Sequence, residues 1–203
     1  KASVEQAKVK RRCEWFDRTK YADGILPIDT YCKEVDKIVK RKLSLDWEKL
    51  RADVKKYGMR NSTLTALMPC ESSSLVTNST NGVEPPRGLL SIKKSKQGLI
   101  PQVVPDVYKL QNKYTLAFDM ENNRGYTNII AVIQKYVDQA ISANHYYKFS
   151  NYQNQNLPIS EIANDLLYSY KMGLKTLYYA NTDDGKTDAN VEESSCDSGA
   201  CSI

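Results

Sequence analysis

Residues 61–74 read NSTLTALMPCESSS. The first part alternates apolar and hydroxyl-bearing or β-branched residues, which predicts a buried strand closed by Pro69. The small hydroxyl residues after Pro69 predict the start of a helix. A helix start offers unpaired backbone N–H groups and a partial positive charge, and serines add short donors, so Glu71, Ser72 and Ser73 stand where phosphate oxygens could be held. A phosphate would be repelled by the Glu71 carboxylate, so that side chain must point away while its N–H contributes. The plainer alternative is an ordinary serine N-cap.

Upstream, KASVEQAKVKRRCEWF predicts a surface helix with Val4, Ala7 and Val9 near helical spacing, interrupted by GILPID. Asp46 precedes WEKLRADVKKYG, where Trp47, Leu50 and Val54 share one face and Gly58 stops the helix. Downstream, RGLLSIKKSKQGLIPQVV predicts two short strands joined by the polar turn 94–98. Helical spacing recurs at Ile129, Ile130, Ile133, Val137, Ala140 and Ile141. It returns at Ile159, Ile162, Ala163, Leu166, Leu167 and Tyr170, a run opened by Pro158–Ser160 and closed by Gly173. KTLYYA follows as a candidate strand. No internal repeat and no second domain boundary is evident.

The chain has 203 residues, 41% of them hydrophobic, enough for a core, and a net charge of +5. Basic clusters such as Lys8–Arg12 and Lys37–Lys42 read as solvated faces rather than a nucleic-acid footprint. No apolar run reaches the roughly 18 residues of a membrane span, and the first residues lack a signal-peptide core. The expected location is therefore the cytoplasm, where Asn61-Ser62-Thr63 and Asn78-Ser79-Thr80 have no meaning as glycosylation acceptors. Because residue 1 is Lys rather than Met, we expect a chain that begins partway through a longer polypeptide or follows a processing step.

Five cysteines, Cys13, Cys32, Cys70, Cys196 and Cys201, argue against a disulfide framework, and the single His145 reads as a packing or surface residue. No metal site is expected. Cys196 and Cys201, in CDSGACSI, follow a polar, acidic run in which Val191 is the lone large apolar residue. Such a run cannot offset the entropy of ordering, so residues 181–203 predict a flexible arm. Thiols on an arm can attack a disulfide elsewhere and be reduced in turn by an external dithiol; a zinc half-site or two incidental cysteines are the alternatives. Tyr178 and Tyr179 are neighbours, and neighbours on a regular strand point to opposite faces, so stacking would need a departure from strand geometry.

Taken in order, NSTLTALMPCESSS, NGVEPPRG, the strand-borne Tyr178-Tyr179 and the terminal C-x4-C closely resemble the C-terminal part of the large subunit of class Ia ribonucleoside-diphosphate reductases. GILPIDTY, DQAISAN and KTLYY belong to the likeness, which runs from about Cys13 to Ile203. The resemblance implies an α/β fold, the C-terminal portion of a ten-stranded α/β barrel, incomplete alone, over residues 1–180, followed by a redox-active tail at 181–203. It implies reduction of ribonucleoside diphosphates to 2′-deoxyribonucleoside diphosphates by radical chemistry. Glu71, Ser72 and Ser73 would hold substrate phosphates, and Tyr178 and Tyr179 would relay an oxidising equivalent. Cys196 and Cys201 would be the dithiol shuttle recharged by thioredoxin or glutaredoxin.

The implied partners are the N-terminal part of the large subunit and a small subunit carrying a tyrosyl radical and a di-iron centre; no cofactor is expected on this chain itself. The motifs around the family's radical-bearing and reducing cysteines are absent, so Cys13, Cys32 and Cys70 receive no role. Either a fragment or the product of a divided gene, as in a virus, would fit, and a partly apolar face should bind the missing piece. The rival reading is a noncatalytic redox or nucleotide-binding module with the same fold.

Overall fold

The computed structural model describes residues 1–40, 42–95, 98–185 and 191–192, with the backbone alone at 71–72, 93–95 and 191–192. In chain order the helices and strands are α1 (Ala2–Lys10), α2 (Pro27–Thr30), α3 (Val35–Ile38), α4 (Trp47–Tyr57), α5 (Glu71–Thr77), β1 (Leu90–Ser95), β2 (Gly98–Val103), α6 (Val107–Leu110), α7 (Arg124–Gln134), β3 (His145–Lys148), α8 (Ile159–Lys171), β4 (Ala180–Asp183) and β5 (Val191–Glu192). They divide between two compact units, each made of discontinuous stretches, where the sequence suggested no internal boundary.

The first unit comprises Lys1–Leu67, Gly125–Ile141 and Leu166–Thr176. Helix α4 is built as its sequence dictates. The Asp46 carboxylate accepts the Lys49 N–H at 2.9 Å, and Gly58 ends the helix at φ +71°, a conformation glycine adopts without a Cβ penalty. Its inner face puts Val54 into a core with Val4, Phe16, Tyr21, Leu26, Ile28 and Met59, flanked by Trp47 and Leu50. A second cluster joins Val35, Ala131 and Met172.

Two expectations fail in this unit. Helix α7 stops at Gln134, although the apolar spacing continues to Ile141: the buried Gln134 amide donates to the carbonyls of Val137 and Gln139, both at 2.9 Å, and fastens a turn there. The turn presents Asp138, whose carboxylate accepts the N–H groups of Leu64 and Thr65, each at 2.7 Å, and the Tyr21 hydroxyl at 2.8 Å. Residues 62–69, expected as a buried strand, form no regular strand and make one isolated parallel bridge at Leu67↔Ile141. Leu64 remains 46% exposed. A parallel strand is covered on both faces and paired on its edges; here pairing with 139–141 serves one edge.

The second unit comprises Met68–Arg124, Ser142–Asp165 and Leu177–Ile203. The expected hairpin is present: β1 and β2 pair antiparallel from Leu90↔Val103 to Ser95↔Gly98. β5 adds to β1 in parallel through Ile92↔Val191. Strands β3 and β4 form a second sheet, parallel in register His145↔Ala180 to Lys148↔Asp183. Against it pack Ala117 and Phe118, the latter edge-on to Tyr146 at 5.2 Å. Two boundaries move relative to expectation. The KTLYYA strand begins only at Ala180, and β4 continues through Asp183 into the stretch expected as an arm, with β5 further along it. Among the described residues the strands make two sheets and close no barrel, and no helix is long and apolar enough to cross a membrane.

Helix α8 has its expected limits, with Gly173 beyond its end at φ +83°, but its orientation inverts the usual pattern. The apolar residues Ile159, Leu166, Leu167 and Tyr170 are exposed, while Asp165 and Ser169 are buried.

Candidate functional site

The site is built where the chain enters β4. Tyr178 and Tyr179 precede that strand, and their ring centroids lie 4.2 Å apart at an interplanar angle of 55°. Each ring is about half exposed. Three hydrogen bonds hold their backbone against the approach to β3. Tyr178 N–H donates to the Ala143 carbonyl at 2.8 Å, His145 N–H donates to the Tyr179 carbonyl at 2.9 Å, and Tyr179 N–H donates to the side-chain Oδ1 of Asn144 at 3.1 Å. The rings meet tilted rather than face to face, and the departure from strand geometry that brings them together is local to these two residues.

Both tyrosines open onto a cleft of about 120 Å³ that Pro69, Tyr146, Asn144 and Glu84 also line. Pro69 leads directly into α5, so the serine-bearing turn begins at the wall of the tyrosine cleft. At that turn Cys70 is the N-cap and makes no side-chain cap bond. Its own N–H donates to the Asn81 carbonyl at 2.7 Å, which ties the turn to the NGVEPPRG segment. Glu71 and Ser72 form the first turn of α5, and the Ser73 hydroxyl donates back to the Cys70 carbonyl at 2.5 Å. Cys70 gives no side-chain cap, so the helix start at Glu71 and Ser72 suits an anion, while the Ser73 N–H donates to the Cys70 carbonyl at 3.0 Å; a seven-residue helix adds a modest dipole.

NGVEPPRG grips β4 and the approach to β3 beside the tyrosines. Glu84 accepts the Asn144 amide at 2.7 Å, and Arg87 donates to Asn181 Oδ1 at 3.0 Å. Behind β3 lies a buried polar network. Asn123 donates to Asp165 at 2.8 Å and accepts the Tyr146 N–H at 2.9 Å; the Tyr147 hydroxyl donates to the same Asp165 at 3.1 Å and lies 3.4 Å from His145 Nδ1. Burial and the facing Asp165 carboxylate push the Tyr147 phenol well above its usual range. Burial holds the His145 imidazole below its ordinary value, against the opposing pull of Asp165. His145 is thus a packed residue, as its sequence context suggested. Neither Asn144 nor Glu84 was singled out beforehand, since what they do depends on pairing across 60 residues.

Cys13, Cys32 and Cys70 are free thiols. Cys196 and Cys201 lie outside the described residues. Among the described residues no cluster of His, Cys, Asp and Glu is arranged to hold a metal.

The model of the ribonucleotide reductase barrel domain matches residues 1–180. The chain belongs to that family. It is 51% identical over 209 residues to the ribonucleoside-diphosphate reductase 1 subunit alpha of Salmonella typhimurium, covering all of this chain and 28% of that protein. Identity to the corresponding Escherichia coli subunit is 50% over 209 residues, again all of this chain and 28% of the relative. The alpha subunit of Enterobacteria phage T4 is 45% identical over 187 residues, 91% of this chain and 25% of that protein. The α/β reading thus agrees with a reductase barrel domain. This chain spans little more than a quarter of the length of these relatives.

Proposed function

We propose that this chain forms part of the catalytic α/β barrel of a ribonucleoside-diphosphate reductase acting in the cytoplasm, with the rest of the barrel supplied by other polypeptide segments. The observation that carries the reading is the tyrosine pair, in tilted ring contact at 4.2 Å, opening onto a cleft whose wall includes Pro69 at the serine-bearing turn. A phenol with a pKa near 10 stays protonated at neutral pH, so oxidising it requires the proton to leave with the electron. Short steps between touching rings favour that coupled transfer. Tyr178 and Tyr179 pass the oxidising equivalent from the tyrosyl radical of a small subunit, formed at its di-iron centre, toward a cysteine on another segment of the barrel.

The loop and helix start at Glu71, Ser72 and Ser73 hold the diphosphate. The substrate's 2′-hydroxyl leaves as water, and a dithiol on another segment supplies two electrons and becomes a disulfide. Cys196 and Cys201 reduce that disulfide by thiol exchange, take the oxidation onto themselves, and are reduced by thioredoxin or glutaredoxin.

The test is turnover after reconstitution with the N-terminal part of the large subunit, a radical-bearing small subunit and a dithiol. A catalytic chain restores deoxyribonucleotide formation; a noncatalytic module binds without restoring it. Within that system Cys196→Ser or Cys201→Ser should spare turnover with a small-molecule dithiol and cripple it with thioredoxin. Equal loss with both reductants would refute the shuttle.

A further inference from the structure

The hydrogen bonds around the tyrosine pair do not follow the parallel ladder they join. In that ladder a residue donates to the carbonyl before its partner and accepts from the N–H after it. His145, paired with Ala180, obeys the rule by donating to Tyr179. Two residues earlier the same register requires Tyr179 N–H to donate to the Ala143 carbonyl. That carbonyl is instead taken by Tyr178 N–H at 2.8 Å. Tyr178 and Tyr179 therefore enter the sheet with a slip of one residue, as in a β-bulge. Consecutive side chains of a regular strand diverge to opposite faces, whereas the slip lets these two rings lie together.

The slip displaces the Tyr179 N–H from its ladder acceptor, and the group that receives it is the Asn144 side chain, at 3.1 Å. Asn144 is buried at 6% exposure, and its Nδ2 donates to Glu84 Oε1 at 2.7 Å. An amide can turn either end toward a neighbour, but a carboxylate accepts only. Glu84 thus selects the NH₂ end and leaves the carbonyl end facing Tyr179.

We infer that Asn144, oriented by Glu84, is the positioning residue that fixes the tilted Tyr178–Tyr179 ring contact by standing in for the displaced rung of the ladder. It acts through the tyrosine backbone, by accepting the Tyr179 N–H. This deepens the relay reading above and rests on it.

The test uses the reconstituted enzyme. Asn144→Asp sets two carboxyl groups against each other where one amide served, so kcat falls by about 10²-fold, the scale of a misplacement of roughly 1 Å, while the KM for the nucleoside diphosphate holds. Adding Glu84→Gln gives the aspartate a donor, and the double variant recovers most of the lost kcat. A role in folding alone would lower the thermal midpoint in step with kcat, so unfolding is recorded for each variant. Should Asn144→Asp not fold, Glu84→Ala serves in its place; it leaves Asn144 present but unoriented, and kcat falls at constant KM. Unchanged kcat in whichever variant is used, or a folded double variant as slow as Asn144→Asp, overturns the inference. Tyr178→Phe separates the two readings: if it turns over normally the relay fails, and if it is dead while Asn144→Asp is active only the positioning role fails.

Discussion

Burial at His145 ties the stability of the β3–β4 region to pH. In the unfolded chain a histidine takes up its proton from about pH 6.5 downward, whereas the buried imidazole, facing Tyr147 and Asp165, resists protonation to lower pH. Between those two values the unfolded state binds more protons, so stability falls as the pH falls through that window. Replacing His145 with Gln should flatten the decline between pH 7 and pH 5 in thermal unfolding; parallel declines in both proteins would contradict the assignment. The tyrosine pair shows how far single residues can be read in advance. Two adjacent tyrosines announce only that they cannot stack in a regular strand. What holds them in tilted contact, on our inference, is a side chain 35 positions earlier, Asn144, and nothing in its local sequence sets it apart.

Helices with local signals were legible and segments governed by distant partners were not. Asp46, Trp47, Leu50, Val54 and Gly58 specify α4 from cap to stop, and the β1–β2 hairpin follows from two apolar runs around a polar turn. By contrast, the apolar spacing that runs past Gln134 is ended by that residue's bonds to Val137 and Gln139, which periodicity does not encode. Residues 62–67 have strand composition but pair through Asp138 and Ala140 along one edge. The end of α8 offers a test at this scale. Gly173 sits at φ +83°, and a Cβ there would lie 2.7 Å from the Cys32 Cβ. Gly173→Ala should therefore destabilise by about 1–3 kcal/mol. In α7, Gly125 faces open space, so Gly125→Ala should be neutral or slightly stabilising. Equal melting temperatures for the two variants would refute the strain at Gly173.

At the scale of the whole molecule, the chain accounts for 28% of the length of the Salmonella and Escherichia relatives, and the proposed barrel would place other segments against its exposed apolar residues. The apolar residues of α8 point outward, and Leu64 is half uncovered in a segment of strand composition. A monodisperse chain with no affinity for the N-terminal part of the large subunit would contradict this reading. The helices and the hairpin were readable because they rest on local residues, and the fold class came with the resemblance carried by the motifs; the extent of each sheet was not readable, because strands are completed by whatever lies beside them. The central claim is that the paired phenols carry the oxidising equivalent, and turnover of Tyr178→Phe in the reconstituted enzyme tests it most directly. The account predicts no deoxyribonucleotide formation with nucleoside diphosphate binding nearly intact. Turnover at the unaltered rate would contradict it.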